Sequence, residues 1–315
     1  MTPKTGTPLV EPLFKRLAII GFGLIGSSIA RVARQQNLVE TIVAIDSSKE
    51  ARRTIRELAL ADRITGDIPS GVRGADFIIL CTPVGSYEQV ALAMKDYLEP
   101  GAIVSDVGSV KGVAVTAITP HIPPHAHFVA AHPVAGTEQS GPQAGFASLF
   151  VNRYTVVTPT LETDREAVAK VVKFWEGTGA LVEEMDYQHH DLVLAITSHI
   201  PHLIAYNIVG TAADLETVIQ SEVIKFSAGG FRDFTRIAAS DPTMWRDVFL
   251  NNREAVLEML GRFNEDLSAL ARAIRWGDGD KLFDLFTRTR SIRRSIIDMG
   301  QEIAEPNFGR DKGAN

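Results

Sequence analysis

Leu17-Ala18-Ile19-Ile20 is a short apolar run, and Gly21-Phe22-Gly23-Leu24-Ile25-Gly26 follows it directly. An apolar run this short, closed by glycine, predicts a buried strand, and the residues from about Ile25 to Gln36 predict a helix. Three glycines at this spacing, set between a strand and a helix, leave few folds open. Gly21 permits the tight turn, Gly23 lets the backbone approach a pyrophosphate, and Gly26 lets the helix pack closely on the strand. The helix N-terminus then presents amide donors and a partial positive charge to the phosphates. The segment therefore predicts a dinucleotide-binding turn that includes Phe22, Leu24 and Ile25.

Strands and helices alternate beyond it. Thr41–Asp46, Ala75–Cys81, Ala102–Asp106, His127–Ala131, Tyr154–Thr158 and Ala180–Met185 read as strands. Lys49–Ala59, Gly85–Tyr97 and Asp164–Gly177 read as helices between them. Such alternation predicts a doubly wound, mostly parallel sheet covered on both faces. From Asp186 to about Ile303 the periodicity is helical throughout, with candidate helices at Tyr187–Gly210, Leu215–Ser227, Met244–Trp276 and Asp280–Ile303. The fold class is thus α/β plus all-α. A loose N-terminus spans 1–14, a nucleotide-binding domain 15–186, a helical domain 187–304 and a polar tail 305–315.

Length and composition narrow the function. The 315 residues suggest two domains with a sizeable core. A net charge of −6 lacks the basic footprint of a nucleic-acid binder. The single cysteine, Cys81, cannot form an internal disulfide, and no signal peptide opens the chain, so a cytoplasmic location is expected. Leu192–Ala213 carries no formal charge and is long enough to span a bilayer. Its His199, His202, Pro201, Ser198 and Asn207 favour a soluble helix in a core or subunit interface, with no membrane partner.

Asp46 stands 20 residues after Gly26, at the end of the second predicted strand. A carboxylate there accepts both ribose hydroxyls of NAD and repels the 2′-phosphate of NADP, so NAD is the expected cofactor. Thr82, Pro83 and Val84 follow another strand end and should flank the nicotinamide ribose. Ser105–Lys111 and Ala131–Glu138 lie beyond two more strand ends, on the same side of the sheet. His132, held extended by Pro133, is placed to act as a general base during hydride transfer. In the helical half, Ala195, His199, His202 and Tyr206 share one helical face, and Pro201 should kink the helix. His190, Asp191, His199 and His202 match no zinc spacing, so no metal is expected. Arg232 and Arg236, four apart after Gly229-Gly230, could clamp a carboxylate.

Taken together these segments resemble the prephenate/arogenate dehydrogenase family. The likeness rests on the glycine turn, Asp106–Lys111, His132–Glu138, His190-Asp191, Thr197–His202, Gly229–Arg236 and Asp241–Trp245, in the family's order over roughly residues 15–300. The resemblance implies a Rossmann domain followed by a helical domain that makes a homodimer. It implies oxidation of a cyclohexadienol, prephenate and/or arogenate, in tyrosine biosynthesis. It assigns His132 as proton acceptor, Ser109 as its orienting partner and Arg236 as carboxylate ligand. Thr137, His199 and His202 would line the substrate pocket, with Gly229, Arg232 and Trp245 beside them; the family also accepts lysine at position 232. No chorismate mutase region or regulatory amino-acid-binding domain is expected, so any feedback by tyrosine would act at the active site.

Two rival readings make different demands. A β-hydroxyacid dehydrogenase needs a catalytic lysine on the long helix, and no lysine lies between Lys173 and Lys225. A non-catalytic NAD sensor would not need His132, Ser109 and Arg236 to converge. Between prephenate and arogenate the residues do not choose: Glu138 could favour an ammonium or simply hold its loop.

Overall fold

The structure is a computed structural model that describes residues 11–225 and 229–298. The first ten residues, Ser227, the predicted helix end at 299–303 and the tail 305–315 lie outside the described residues. Six strands form one parallel sheet in the order β3-β2-β1-β4-β5-β6. They are β1 (Phe14–Ile20), β2 (Val39–Ile45), β3 (Arg63–Thr65), β4 (Phe77–Leu80), β5 (Ile103–Asp106) and β6 (His127–Val129). Between them run α1 (Leu24–Gln35), α2 (Lys49–Glu57), α3 (Ile68–Val72), α4 (Tyr87–Met94) and α5 (Lys111–Ile118).

Strand residues alternate between two cores, as the two-residue period of a strand requires. Leu17, Ile19, Phe77 and Ile79 pack with Ile29, Val32 and Ala33 of α1, and with Phe174 and Trp175 of α6 (Arg165–Gly177). Ala18, Ile20, Ile78 and Leu80 pack on the other face, with Tyr87, Val90 and Met94 of α4 and Ala114 of α5. This double covering explains why the strands read as continuous apolar runs.

One predicted strand is two. His127–Ala131 breaks at Ala130, and β7 (Ala131–Pro133) leaves the main sheet for a second one of order β7-β8-β9. There β7 pairs antiparallel with β8 (Tyr154–Val157), and β8 pairs parallel with β9 (Leu181–Glu184). The Ala131 N–H points to the Asp106 carboxylate at 3.3 Å rather than to a strand, and Ala130 C=O accepts from Thr158. Pro133, with no N–H to give a ladder, sits at the end of its strand.

All later elements are helical. They are α7 (Tyr187–Leu194), a π-helical turn Ala195–His199, α8 (Ile200–Lys225), α9 (Gly229–Thr235), α10 (Pro242–Asn251), α11 (Arg253–Trp276) and α12 (Gly279–Asp298). The predicted helix Met244–Trp276 is divided at Asn252, and its first part starts earlier, at Pro242, with Asp241 capping. By packing, the chain divides into a unit through Val256 and a second unit from Leu257. Tyr187–Asp214 is long and apolar enough to cross a bilayer by length and composition, yet it buries His190, Asp191 and His199 in the first unit.

Candidate active site

The glycine turn is built to receive a dinucleotide. Gly21 adopts φ +90°, and a Cβ there would come within 2.8 Å of the Cys81 carbonyl group. A Cβ on Gly26 would strike the Gly21 carbonyl oxygen. At Gly23 a Cβ would meet nothing within 4 Å, so open space lies above the turn. Gly23 is also the N-cap of α1 and brings no side chain to the free N–H groups of that helix. Asp46 follows β2, its carboxylate fixed by the Phe22 N–H at 2.9 Å and the Ser48 N–H at 2.8 Å. Open space, unclaimed amides and a pinned carboxylate together fit a dinucleotide.

Several neighbours of the turn point their side chains inward. Phe22, Leu24 and Val84 bury their side chains in the core, which leaves only their main chain to face a bound cofactor. Thr82 and Pro83 stand at the end of β4 and Ile25 is half-buried. Burial pushes the Cys81 thiol up, so it is no nucleophile.

A hydrogen-bonded chain runs behind His132. Lys111 and Asp106 form a fully buried ion pair, to which the Tyr87 hydroxyl donates at 3.0 Å. Lys111 Nζ also donates to Ala131 C=O at 2.7 Å, so the pair grips both backbone groups of the residue before His132. His132 Nδ1 lies 2.8 Å from His190 Nε2, and His190 Nδ1 lies 2.8 Å from Asp191 Oδ1. The Asp191 carboxylate accepts from the N–H groups of Lys111 and Gly112, at the N-terminus of α5. Burial holds His132 well below its usual pKa, with His190, Lys111 and His199 adding to the effect.

The helical half supplies the facing wall. Pro201 lacks the N–H that an α-turn requires, and the turn before it widens to π-helical geometry. Thr197 Oγ1 donates to Val193 C=O and His202 Nδ1 to Ser198 C=O, taking up carbonyls near the break. His202 stacks on Trp245 with ring centroids 3.7 Å apart. Asn252 Nδ2 donates both to Asp191 C=O at 2.9 Å and to His199 Nδ1 at 3.1 Å. Neutral His199 therefore carries its hydrogen on Nε2, which is buried without a partner, like Trp245 Nε1. Burial lowers the His199 pKa to about 4. Arg236 reaches back to Glu138, on the loop leaving β7, at 2.6 Å.

The family model of the prephenate dehydrogenase nucleotide-binding domain matches residues 29–184, and that of the prephenate dehydrogenase dimerization domain matches residues 186–288. The chain is 41% identical to the cyclohexadienyl dehydrogenase of Zymomonas mobilis, over 90% of this chain and 97% of that one. The chain belongs to the prephenate dehydrogenase family. It is 33% identical to the prephenate dehydrogenase of Bacillus subtilis, over 93% of this chain and 78% of the other. Among solved structures, prephenate dehydrogenase from A. aeolicus with hydroxyphenyl propionate and NAD+ superposes with a TM-score of 0.83 at 32% identity, covering 90% of this chain and 98% of that one.

Within this family member, the expected site residues divide. His132, His199, His202, Trp245 and Arg236 gather between the loop after β7 and helices α8 and α10. Ser109 makes no hydrogen bond to His132; His190 holds that ring instead. Thr137 is exposed and its hydroxyl accepts from the Gln139 N–H within its own loop. Arg232 points into solvent, one turn away from Arg236. Gly229 opens α9 with free space around it. Asp106 and Lys111 stand in a segment that the resemblance marks, without a role assigned to either, and no motif marks Asn252. The described residues contain no group of three or more His, Cys, Asp or Glu placed to hold a metal ion. Two cavities of about 200 and 230 Å³ lie elsewhere in the same unit, beside Thr158 and beside Gln36, and no expected site residue lines them.

Proposed function

We propose that the chain catalyses the NAD-dependent oxidative decarboxylation of prephenate, arogenate or both, yielding 4-hydroxyphenylpyruvate or tyrosine. The reading is carried by one observation. An imidazole bonded only through Nδ1 stands in β7, and six residues later the loop leaving that strand holds Arg236 of the helical half through Glu138. Membership of the family, and relatives named for prephenate and cyclohexadienyl substrates, support the substrate class.

NAD, when bound at Gly21–Gly26 and Asp46, supplies the hydride acceptor. His132 Nε2 takes the proton of the ring hydroxyl as hydride leaves the carbinol carbon and the carbonyl forms. Loss of the ring carboxylate as CO2 then returns the electron pair of the broken C–C bond to the ring, which becomes aromatic. The oxygen recovers its proton from His132, so the site exports none. Arg236 pairs with a substrate carboxylate in competition with Glu138. Trp245 Nε1–H is a donor available to the substrate. The protein's share is thus proximity, one base and one clamp.

The chain acts as a homodimer through its helical half, in the cytoplasm. Ile196, Ile208 and Val209 are exposed on the long helix, and Trp276, Phe283 and Phe286 are exposed in the second unit. Apolar surface of this kind is ordinarily covered by a partner. NADH formation, followed with prephenate and with arogenate, each with NAD and with NADP, tests the reading. Turnover with NAD and at least one of the two substrates is expected; none with either refutes it.

A further inference from the structure

The hydrogen bonds behind His132 have a fixed direction, and it is set far from the reacting atoms. Asp191 Oδ1 receives the Lys111 N–H at 2.7 Å and Oδ2 the Gly112 N–H at 2.8 Å. A carboxylate only accepts, so the 2.8 Å contact to His190 requires the hydrogen on His190 Nδ1. Neutral His190 then has a bare Nε2, which must accept from His132 across 2.8 Å. His132 therefore carries its hydrogen on Nδ1, and its Nε2 keeps the lone pair. Reversed polarity would need an imidazolium at His190. Burial opposes that charge, as does Lys111 nearby, although Asp191 and Asp106 favour it. His199 faces the same cluster from the π-helical turn and is itself held neutral by burial.

We infer that His190 and Asp191 are positioning residues that fix the tautomer and orientation of His132, keeping Nε2 free to receive the substrate proton. The inference rests on the proposed role of His132 as base and goes beyond it by naming what makes that imidazole a base at the correct atom. Because the lent proton returns to the product oxygen, the chain needs no route to solvent, and it ends on the amides of α5. The same device orients the catalytic histidine of serine proteases, where the wrong tautomer costs roughly 10⁴-fold in turnover.

The test compares His190→Phe with His190→Gln in the full-length enzyme. Phenylalanine fills the space but accepts no hydrogen bond, whereas the glutamine carbonyl can accept from His132 Nδ1–H. The Phe variant is expected to lose roughly 10²–10⁴-fold in kcat with little change in KM for prephenate or NAD, and the Gln variant to recover most of that loss. Wild-type turnover in the Phe variant, equal losses in both, or a loss confined to KM overturns the inference. Nitrogen-15 spectra of histidine-labelled wild-type enzyme decide it even if a variant does not fold: His132 must be protonated at Nδ1, and a hydrogen on Nε2 refutes the assignment. His132→Asn, measured alongside, separates the two failures. Full activity there removes the base itself, whereas its loss beside an unimpaired His190→Phe removes only the positioning pair.

Discussion

As the proposed base, His132 must be neutral to act, and its surroundings favour the neutral form. Burial and three cationic or titratable neighbours lower its pKa well below 6.5, so the ring stays unprotonated to lower pH than an exposed histidine. Activity is present above the folded-state pKa and is lost as pH falls through it. The acid limb of kcat/KM is therefore expected below pH 6.5, the unperturbed value alone being a poor guide; a limb centred at or above 6.5 would contradict the buried geometry. The proposed role of Arg236 is in binding. Arg236→Gln should raise the KM for substrate by tenfold or more and leave kcat within a few-fold, and a fall in kcat alone would remove it from the carboxylate. His132 and Arg236 each stand in a local segment that the sequence marks, and the structure brings both beside the loop that leaves β7. His190-Asp191 is legible only as part of the resemblance and Asn252 not at all, since His190, Asp191 and Asn252 reach their partners across 58, 80 and 61 residues of chain. No local pattern records such pairings.

Among the elements, the glycine turn and the strands β1, β2, β4 and β5 followed directly from the sequence, because a strand buried on both faces leaves an unbroken apolar run; the short edge strand β3 (Arg63–Thr65) has no such run and was not foreseen. The break at Ala130 was hidden for the same reason: Phe128-Val129-Ala130-Ala131 is apolar throughout, and what turns β7 aside is a charge pair 20 and 25 residues earlier. The π-helical turn before Pro201 was visible only as a kink. Lys111 and Asp106 carry the largest energetic stake in this arrangement. Lys111→Met leaves Asp106 buried without its counter-charge and should lower stability by about 3–5 kcal/mol, measured by denaturant unfolding. A loss below about 1 kcal/mol would mean that the pair does not anchor β7.

At the scale of the molecule, the helical half carries two kinds of surface. One side brings His199, His202 and Trp245 against the nucleotide-binding part of the first unit. Elsewhere, apolar side chains such as Ile208 and, in the second unit, Trp276 and Phe283 are uncovered. Sedimentation equilibrium should give twice the 34.3 kDa chain mass, and a monomer at micromolar concentration would contradict the assignment of these faces to a partner chain. The most direct test of the whole is the single-site variant His132→Asn, assayed for NADH formation from prephenate or arogenate while NAD affinity is measured by direct titration. Turnover lower by roughly 10²–10⁴-fold with unchanged NAD binding is the expected result. Turnover equal to that of the wild-type enzyme would contradict it.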